Sequence, residues 1–316
     1  MTKKTAKKGT KKASAKSVSV EAGDIFKSIL DYHDDDSNIN KQKFINNLTT
    51  YIQQSMGGDR IYKKYNIVVL YDNDSLSTLH SDKIYKTLER IDKDKPIILV
   101  LTSNGGYPSP AYLIGKLFQQ FSSENDFIVV IPRYAKSAAT LLACAADKVH
   151  MGKLSELGPI DPQVKGVPAL GLKNSIEHIA ELVSLNKDSA EMFARYLALT
   201  VKPISIGHYE RIAESTVQYA SRLLMKKSNI LKIQPVNIAT RLVYGYKDHG
   251  FVIDQEEAVD IFGDNFIVKE SEEYQFGDGI YQILSEFNEI SEILNIKFSF
   301  IGSLDDSNSI NISKTK

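Results

Sequence analysis

A single cysteine among 316 residues excludes an internal disulfide and a multi-cysteine zinc site. Cys144 is flanked by Leu141, Leu142, Ala143, Ala145 and Ala146, a setting that marks it as core packing, and a lone thiol of this kind fits a reducing cytoplasm. Long apolar runs are also missing. Nothing approaches the roughly 20 residues of a membrane span, and the basic N-terminus lacks the apolar segment of a secretory signal. Net charge is absent, because 39 Lys and Arg balance 39 Asp and Glu, so no global field selects nucleic acid or membrane. Neither the G-x-G-x-x-G dinucleotide fingerprint nor the GxxxxGK[ST] phosphate loop occurs. His33, His80, His150, His178 and His208 show no ligand spacing with Cys, Asp or Glu, so neither a metal nor a cofactor is expected.

What is present is an ordinary globular composition, 42% hydrophobic and 25% charged, distributed unevenly. Residues 1–16 hold seven lysines and no acid, in a composition that cannot build a core. Residues 1–20 are therefore expected to be a disordered basic tail. Its ordinary role is solubilising; its sharper role is contact with nucleic acid, acidic lipid or an acidic partner. Helical spacing of Ile25, Phe26, Ile29 and Leu30, then of Phe44, Ile45, Leu48 and Ile52, predicts an N-terminal helical collar over 21–57.

From Asn66 the rhythm changes. The continuous apolar runs 67–71, 96–101 and 127–132 suit strands buried on both faces of a parallel sheet. Between them lie helical stripes, Leu79, Ile84, Leu88, Ile91 and then Tyr112, Leu113, Leu117, Phe118, Phe121. Strand–helix–strand connections of this length predict right-handed βαβ units. A core over 58–270 is expected, carrying a helical insertion at about 172–245. Residues 271–316 read as a C-terminal helix and a polar tail, frayed from Ser307.

Two strand ends concentrate the chemistry. The first runs into Asn104-Gly105-Gly106, where glycines permit close backbone approach and N–H groups ahead of a helix can hold an anion or an oxyanion. The second leads through Arg133-Tyr134-Ala135-Lys136 to Ser137 and an Ala-rich helix predicted over Ala138–Asp147. Ser137 is either a helix N-cap or a side chain exposed at the carboxyl edge of the sheet, where open α/β folds bind ligands.

Residues 97–163, read as Ile-Ile-Leu-Val-Leu-Thr-Ser-Asn-Gly-Gly, then Pro-Arg-Tyr-Ala-Lys-Ser-Ala-Ala-Thr-Leu-Leu-Ala-Cys-Ala-Ala-Asp, then Ser-Glu-Leu-Gly-Pro-Ile-Asp-Pro-Gln, resemble the serine dehydrogenase proteinase family. That family is related to signal-peptide peptidase A within the Clp protease/crotonase superfamily. Asp248-His249-Gly250-Phe251-Val252-Ile253-Asp254-Gln255-Glu256-Glu257-Ala258 is similar to its C-terminal motif. The resemblance implies a Clp/crotonase-like α/β fold, a peptide or protein substrate, a homo-oligomer and a cytoplasmic setting. It makes Ser137 the nucleophile, with N–H groups of Gly105 or Gly106 and of Ala138 as the oxyanion hole.

The general base stays open. Clp proteases carry a histidine near the place of Asp161, and this chain has none there. His249 titrates near neutrality and lies close to where Clp proteases place their third catalytic residue. Lys187 stands at the separation of a signal-peptide-peptidase lysine but needs strong desolvation to act. Asp161 is a weaker choice. The ordinary readings are a turn residue for His249, a solvated helix residue for Lys187 and a turn former for Asp161; Lys136, beside the nucleophile in sequence, points away from it. The alternative to a serine peptidase is a protein that keeps the fold for assembly or sensing and has lost the base.

Overall fold

The structure, a computed structural model, describes residues 19–122, 126–164, 167–168, 171–200 and 203–315. The basic tail up to residue 18, with its expected contacts, lies outside the described residues. The chain opens with α1 (Ala22–Asp34), α2 (Asn38–Met56) and the short α3 (Arg60–Lys64). Next come β1 (Asn66–Asp72), α4 (Thr78–Leu88), β2 (Ile97–Ser103), α5 (Pro108–Phe121) and β3 (Phe127–Ile131), the alternation that the apolar runs predict. Short pieces follow: β4 (Tyr134–Ala135), α6 (Ala138–Ala143), β5 (Lys148–Met151), β6 (Glu156–Leu157), β7 (Gln163–Val164) and β8 (Val167–Pro168). Four helices follow over the segment expected as an insertion: α7 (Gly171–Leu185), α8 (Ala190–Thr200), α9 (Pro203–Leu224) and α10 (Pro235–Tyr244). The chain ends with α11 (Gln255–Phe262), β9 (Ile267–Lys269), α12 (Glu272–Ile293), β10 (Ile296–Ser303) and β11 (Ile310–Lys314).

The main sheet runs β11-β10-β1-β2-β3-β5-β9, with β4 and β6 extending from the end of β2. From β1 to β9 the pairs are parallel, and β10 and β11 add antiparallel partners at one edge. Strand order β1-β2-β3-β5 advances in one direction, so right-handed crossovers must lay α4, α5 and α6 on the same face. Their buried side chains Ile84, Leu88, Ile114, Phe118 and Leu141 share a core with Val68 and Leu70 of β1. The opposite face, left bare by these crossovers, presents Ile67, Val69 and Tyr71, and it is covered by α1, α2 and α12. The two N-terminal helices are thus the second cover of the sheet rather than a collar ahead of it.

Two expectations need correction. Residues 296–314 are not a helix and frayed tail but two strands, with Phe298 opposite Ile312 and Phe300 opposite Ile310. Ile310 and Ile312 alternate with Asn311 and Ser313, a half-buried period of two that the polar residues mask. Phe298 closes edge-on against Phe44 of α2, with ring centroids 6.4 Å apart. The Ala-rich helix also stops four residues early. Ala145 and Ala146 donate to Leu142 and Ala143 carbonyls three residues back. Asp147 then accepts the Phe127 N–H at 2.7 Å and pairs with Lys227, turning the chain into β5.

In β5, His150 is buried and its Nδ1 meets the hydroxyl of Ser271, the N-cap of α12, at 2.5 Å. Its Nε2 has no hydrogen-bond partner. Burial disfavours the imidazolium and pulls its pKa down to about 4, against a smaller opposing pull from Glu273.

Candidate active site

Ser137 joins β4 to α6 with φ 51° and ψ −118°, and its side chain makes no capping hydrogen bond. A non-glycine residue at positive φ costs about 1–3 kcal/mol and persists where the surroundings dictate it. The dictating contacts are short. Lys136 N–H donates to the Ser103 carbonyl at 3.0 Å, Thr140 Oγ1 donates to the Ala135 carbonyl at 2.6 Å, and the Gly158 N–H donates to that same hydroxyl at 3.1 Å. The N-cap reading of Ser137 is therefore replaced by a strained strand-to-helix elbow.

Gly105 and Gly106 sit against this elbow with φ 91° and 150°. A Cβ on Gly105 would lie 2.4 Å from the Lys136 carbonyl oxygen and 2.8 Å from the Ala138 nitrogen; one on Gly106 would lie 2.2 Å from the Leu76 nitrogen. No side chain fits at either place. The Gly105 N–H donates to Ser103 Oγ at 3.1 Å. The N–H groups of Gly106 and Ala138 have no acceptor among the described residues, so both are free donors beside Ser137.

The structure brings His249 and Asp161 together although 88 residues separate them: His249 Nδ1 lies 2.7 Å from Asp161 Oδ1. Asp161 is buried, and its second oxygen accepts from Gln163 Nε2 at 2.9 Å. Two backbone ties hold the loops in place. Leu157 and Ile253 exchange both hydrogen bonds of an antiparallel bridge, and the Ile160 N–H donates to the Leu242 carbonyl at 3.0 Å. The His249 turn is braced by Tyr246, whose ring meets Phe251 at 4.8 Å and whose hydroxyl donates to Glu257 at 2.6 Å. The Asp161 hydrogen bond raises the His249 pKa above its ordinary 6.5, outweighing the opposite effect of partial burial.

Ser137, His249, Gly105, Gly106 and Ala138 line one cavity of about 640 Å³. Lys187 is not among its lining residues; it sits exposed on a 3₁₀ turn between α7 and α8, and α8 buries no residue. Lys136 is held by Glu156 at 2.9 Å. Sequence reasoning missed Ile212 and Thr216 of α9, which close one wall, and Asn73 and Ser75 at the rim. Their only signal was membership of a helical stripe and of a polar loop. A serine hydroxyl, an imidazole hydrogen-bonded to a buried carboxylate and free N–H groups beside the serine form a set suited to acyl transfer.

Among the described residues no helix is long and apolar enough to cross a membrane. Residues 70–190 match the ClpP-like SDH-type serine proteinase family. A 97-residue stretch is 37% identical to an uncharacterized protein of Methanocaldococcus jannaschii, covering 31% of this chain and 33% of that protein. A second uncharacterized protein of the same organism is 31% identical over 104 residues, 33% of this chain and 35% of the relative. Those matches span about a third of the length of each relative. Among solved structures, a mutant of the 1510-N membrane-bound stomatin-specific protease aligns over 71% of this chain and 86% of its own, at 14% identity and TM-score 0.42. Another mutant of that protease, in complex with a substrate peptide, covers 79% and 87% at 14% identity and TM-score 0.40. ClpP1 from Listeria monocytogenes covers 66% and 94% at 14% identity and TM-score 0.37. Ser137, the glycine turn and Asp161 lie inside the segment that matches the ClpP-like SDH-type serine proteinase family, and His249 lies beyond it.

Proposed function

We propose that the protein is a serine peptidase working through an acyl-enzyme on Ser137, with His249 as general base and Asp161 as the carboxylate that orients it. The His249–Asp161 hydrogen bond at 2.7 Å, at the edge of the cavity that holds Ser137, carries the reading. It exchanges the places expected from the resemblance: the carboxylate stands in the loop where Clp proteases have their histidine, and the imidazole in the later loop. Asp161 is thus the partner of the base rather than a base itself. With Nδ1 turned to the carboxylate, Nε2 is the ring nitrogen available to a substrate-side proton.

In the first step Ser137 Oγ bonds to the peptide carbonyl carbon while its proton passes to His249 Nε2. The carbonyl π electrons move onto oxygen, where the Gly106 and Ala138 N–H groups receive the negative charge. Collapse of this adduct expels the amine, which takes the proton from His249. Water then repeats the sequence on the ester and frees the acid and Ser137. A cytoplasmic setting and a homo-oligomer belong to the same proposal, supported by the lone buried Cys144 and by the family resemblance. The assembly-or-sensor alternative rests on the missing histidine near Asp161, and the His249 imidazole beside that carboxylate favours the peptidase reading over it.

A fluorophosphonate probe tests the reading. Labelling should occur on Ser137, vanish in Ser137→Ala and slow by roughly 10²–10⁴-fold in His249→Ala. A folded wild-type protein that resists the probe would return the case to the assembly role.

A further inference from the structure

The loop 73–77 carries a buried polar arrangement that the proposed chemistry leaves unused. Asp72, the last residue of β1, is almost wholly buried and faces His80 of α4, with Oδ2 and Nε2 3.0 Å apart. Its other oxygen accepts the Asp74 N–H at 2.8 Å. His80 Nδ1 accepts the Ser77 N–H at 3.1 Å and lies 3.1 Å from Ser77 Oγ as well. An Nδ1 that accepts requires the proton on Nε2, which therefore donates to Asp72. The imidazole thus ties the last residue of the loop to the strand in front of it. Burial alone would raise the Asp72 pKa, but the His80 and Asp74 hydrogen bonds hold it below the ordinary carboxylate range. Ser77 makes this a Ser–His–Asp set, its hydroxyl turned to His80 Nδ1, yet none of the three lines the cavity.

What the clasp holds is Leu76. This fully buried residue donates its N–H to the Gly105 carbonyl at 2.8 Å and accepts the Tyr107 N–H at 3.0 Å. The peptide groups on either side of Gly106 are thereby pinned, and the Gly106 N–H, trans to the pinned Gly105 carbonyl, is left free. The same loop reaches the elbow, where Tyr134 donates to Asn73 Oδ1 at 2.7 Å. The geometry points to Asp72 and His80 as positioning residues that aim the Gly106 N–H at the developing oxyanion through Leu76. Its catalytic half rests on the peptidase reading; its geometric half stands on the hydrogen bonds alone.

The test uses the full chain with His80→Phe and, as a variant that keeps volume, Asp72→Asn. Amide hydrogen exchange at Leu76 and Tyr107 should quicken by roughly tenfold or more while Leu99 and Leu101 of β2 keep their protection. The inactivation rate constant with a fluorophosphonate should fall roughly 10–100-fold, with its binding constant unchanged. Unchanged exchange at Leu76 and Tyr107, loss of protection throughout β2, or faster exchange with an unchanged inactivation rate each overturn the assignment. If the wild-type protein itself resists the probe, the peptidase reading fails, and the exchange arm still decides whether the clasp holds Leu76.

Discussion

Lowering the pH should destabilise this protein well before its carboxylates are protonated, and one side chain sets the size of the effect. His150 is nine-tenths or more buried and its pKa is pulled down to about 4, against 6.5 for an ordinary imidazole. Between those two values the unfolded chain binds a proton that the native chain refuses, so native stability falls as pH falls. At about 1.4 kcal/mol per pH unit the gap amounts to about 3 kcal/mol, fully present above pH 6.5 and lost by pH 4. His249 acts in the opposite sense: its raised pKa adds stability below 6.5 that disappears as pH rises through the folded value. The lowered carboxylates Asp72 and Glu273 lose their contribution only as pH falls below their ordinary values of 3.8 and 4.5. The window from 6.5 to 4.5 is therefore set by His150. Urea unfolding across it, on the wild type and on His150→Gln, reads the term directly. Gln keeps a partner for Ser271 and has no proton to gain, so its stability should be flatter with pH by about 3 kcal/mol. Equal pH slopes in the two proteins would refute the argument, as would an imidazole at position 150 that titrates near 6.5 by NMR.

The catalytic reading makes further predictions. Asp161→Asn should lower the rate by roughly 10²–10⁴-fold, and because the carboxylate holds the His249 pKa up, the acid limb of the residual pH–rate profile should move to lower pH. An unmoved limb would remove Asp161 from the site. Gly106→Ala places a Cβ 2.2 Å from the Leu76 nitrogen. It should cost about 2 kcal/mol or more of stability and roughly 100-fold in activity, read by denaturant unfolding and probe labelling together. Lys187→Ala should leave labelling within about twofold of wild type, as for a surface substitution remote from the chemistry; a large loss would revive the lysine base.

Which parts of this molecule can be read along the chain follows from the range of the forces involved. The runs Ile67–Tyr71 and Ile97–Leu101 declare buried parallel strands because both neighbours of every residue sit in apolar cores. Ser137 and the glycine turn are legible because a glycine pair and the junction of an apolar run with an Ala-rich segment are local signals, although contacts from Ser103, Gly158 and Leu76 hold their conformations. The edge strands around Phe298 and Ile312 are not, since their apolar faces make sense only once α2 and the bare side of the sheet are in place. The pairing of His249 with Asp161 is less legible still. Nothing near either residue reports the other, and a turn before Gly250 or before Pro162 is a sufficient local account of each.

That illegibility has a structural cause which also bears on the exchanged positions of acid and base. The Leu157–Ile253 bridge fastens the two loops side by side through backbone atoms, and backbone bonds are indifferent to which loop bears the imidazole. A hydrogen bond between carboxylate and Nδ1 is satisfied from either direction, provided the histidine side chain also borders the cavity that holds Ser137. His249 meets that condition. On the proposed reading, then, a search for the base confined to the loop around Asp161 looks in the wrong segment, and what brings acid and base together in this chain is the bridged pair of loops.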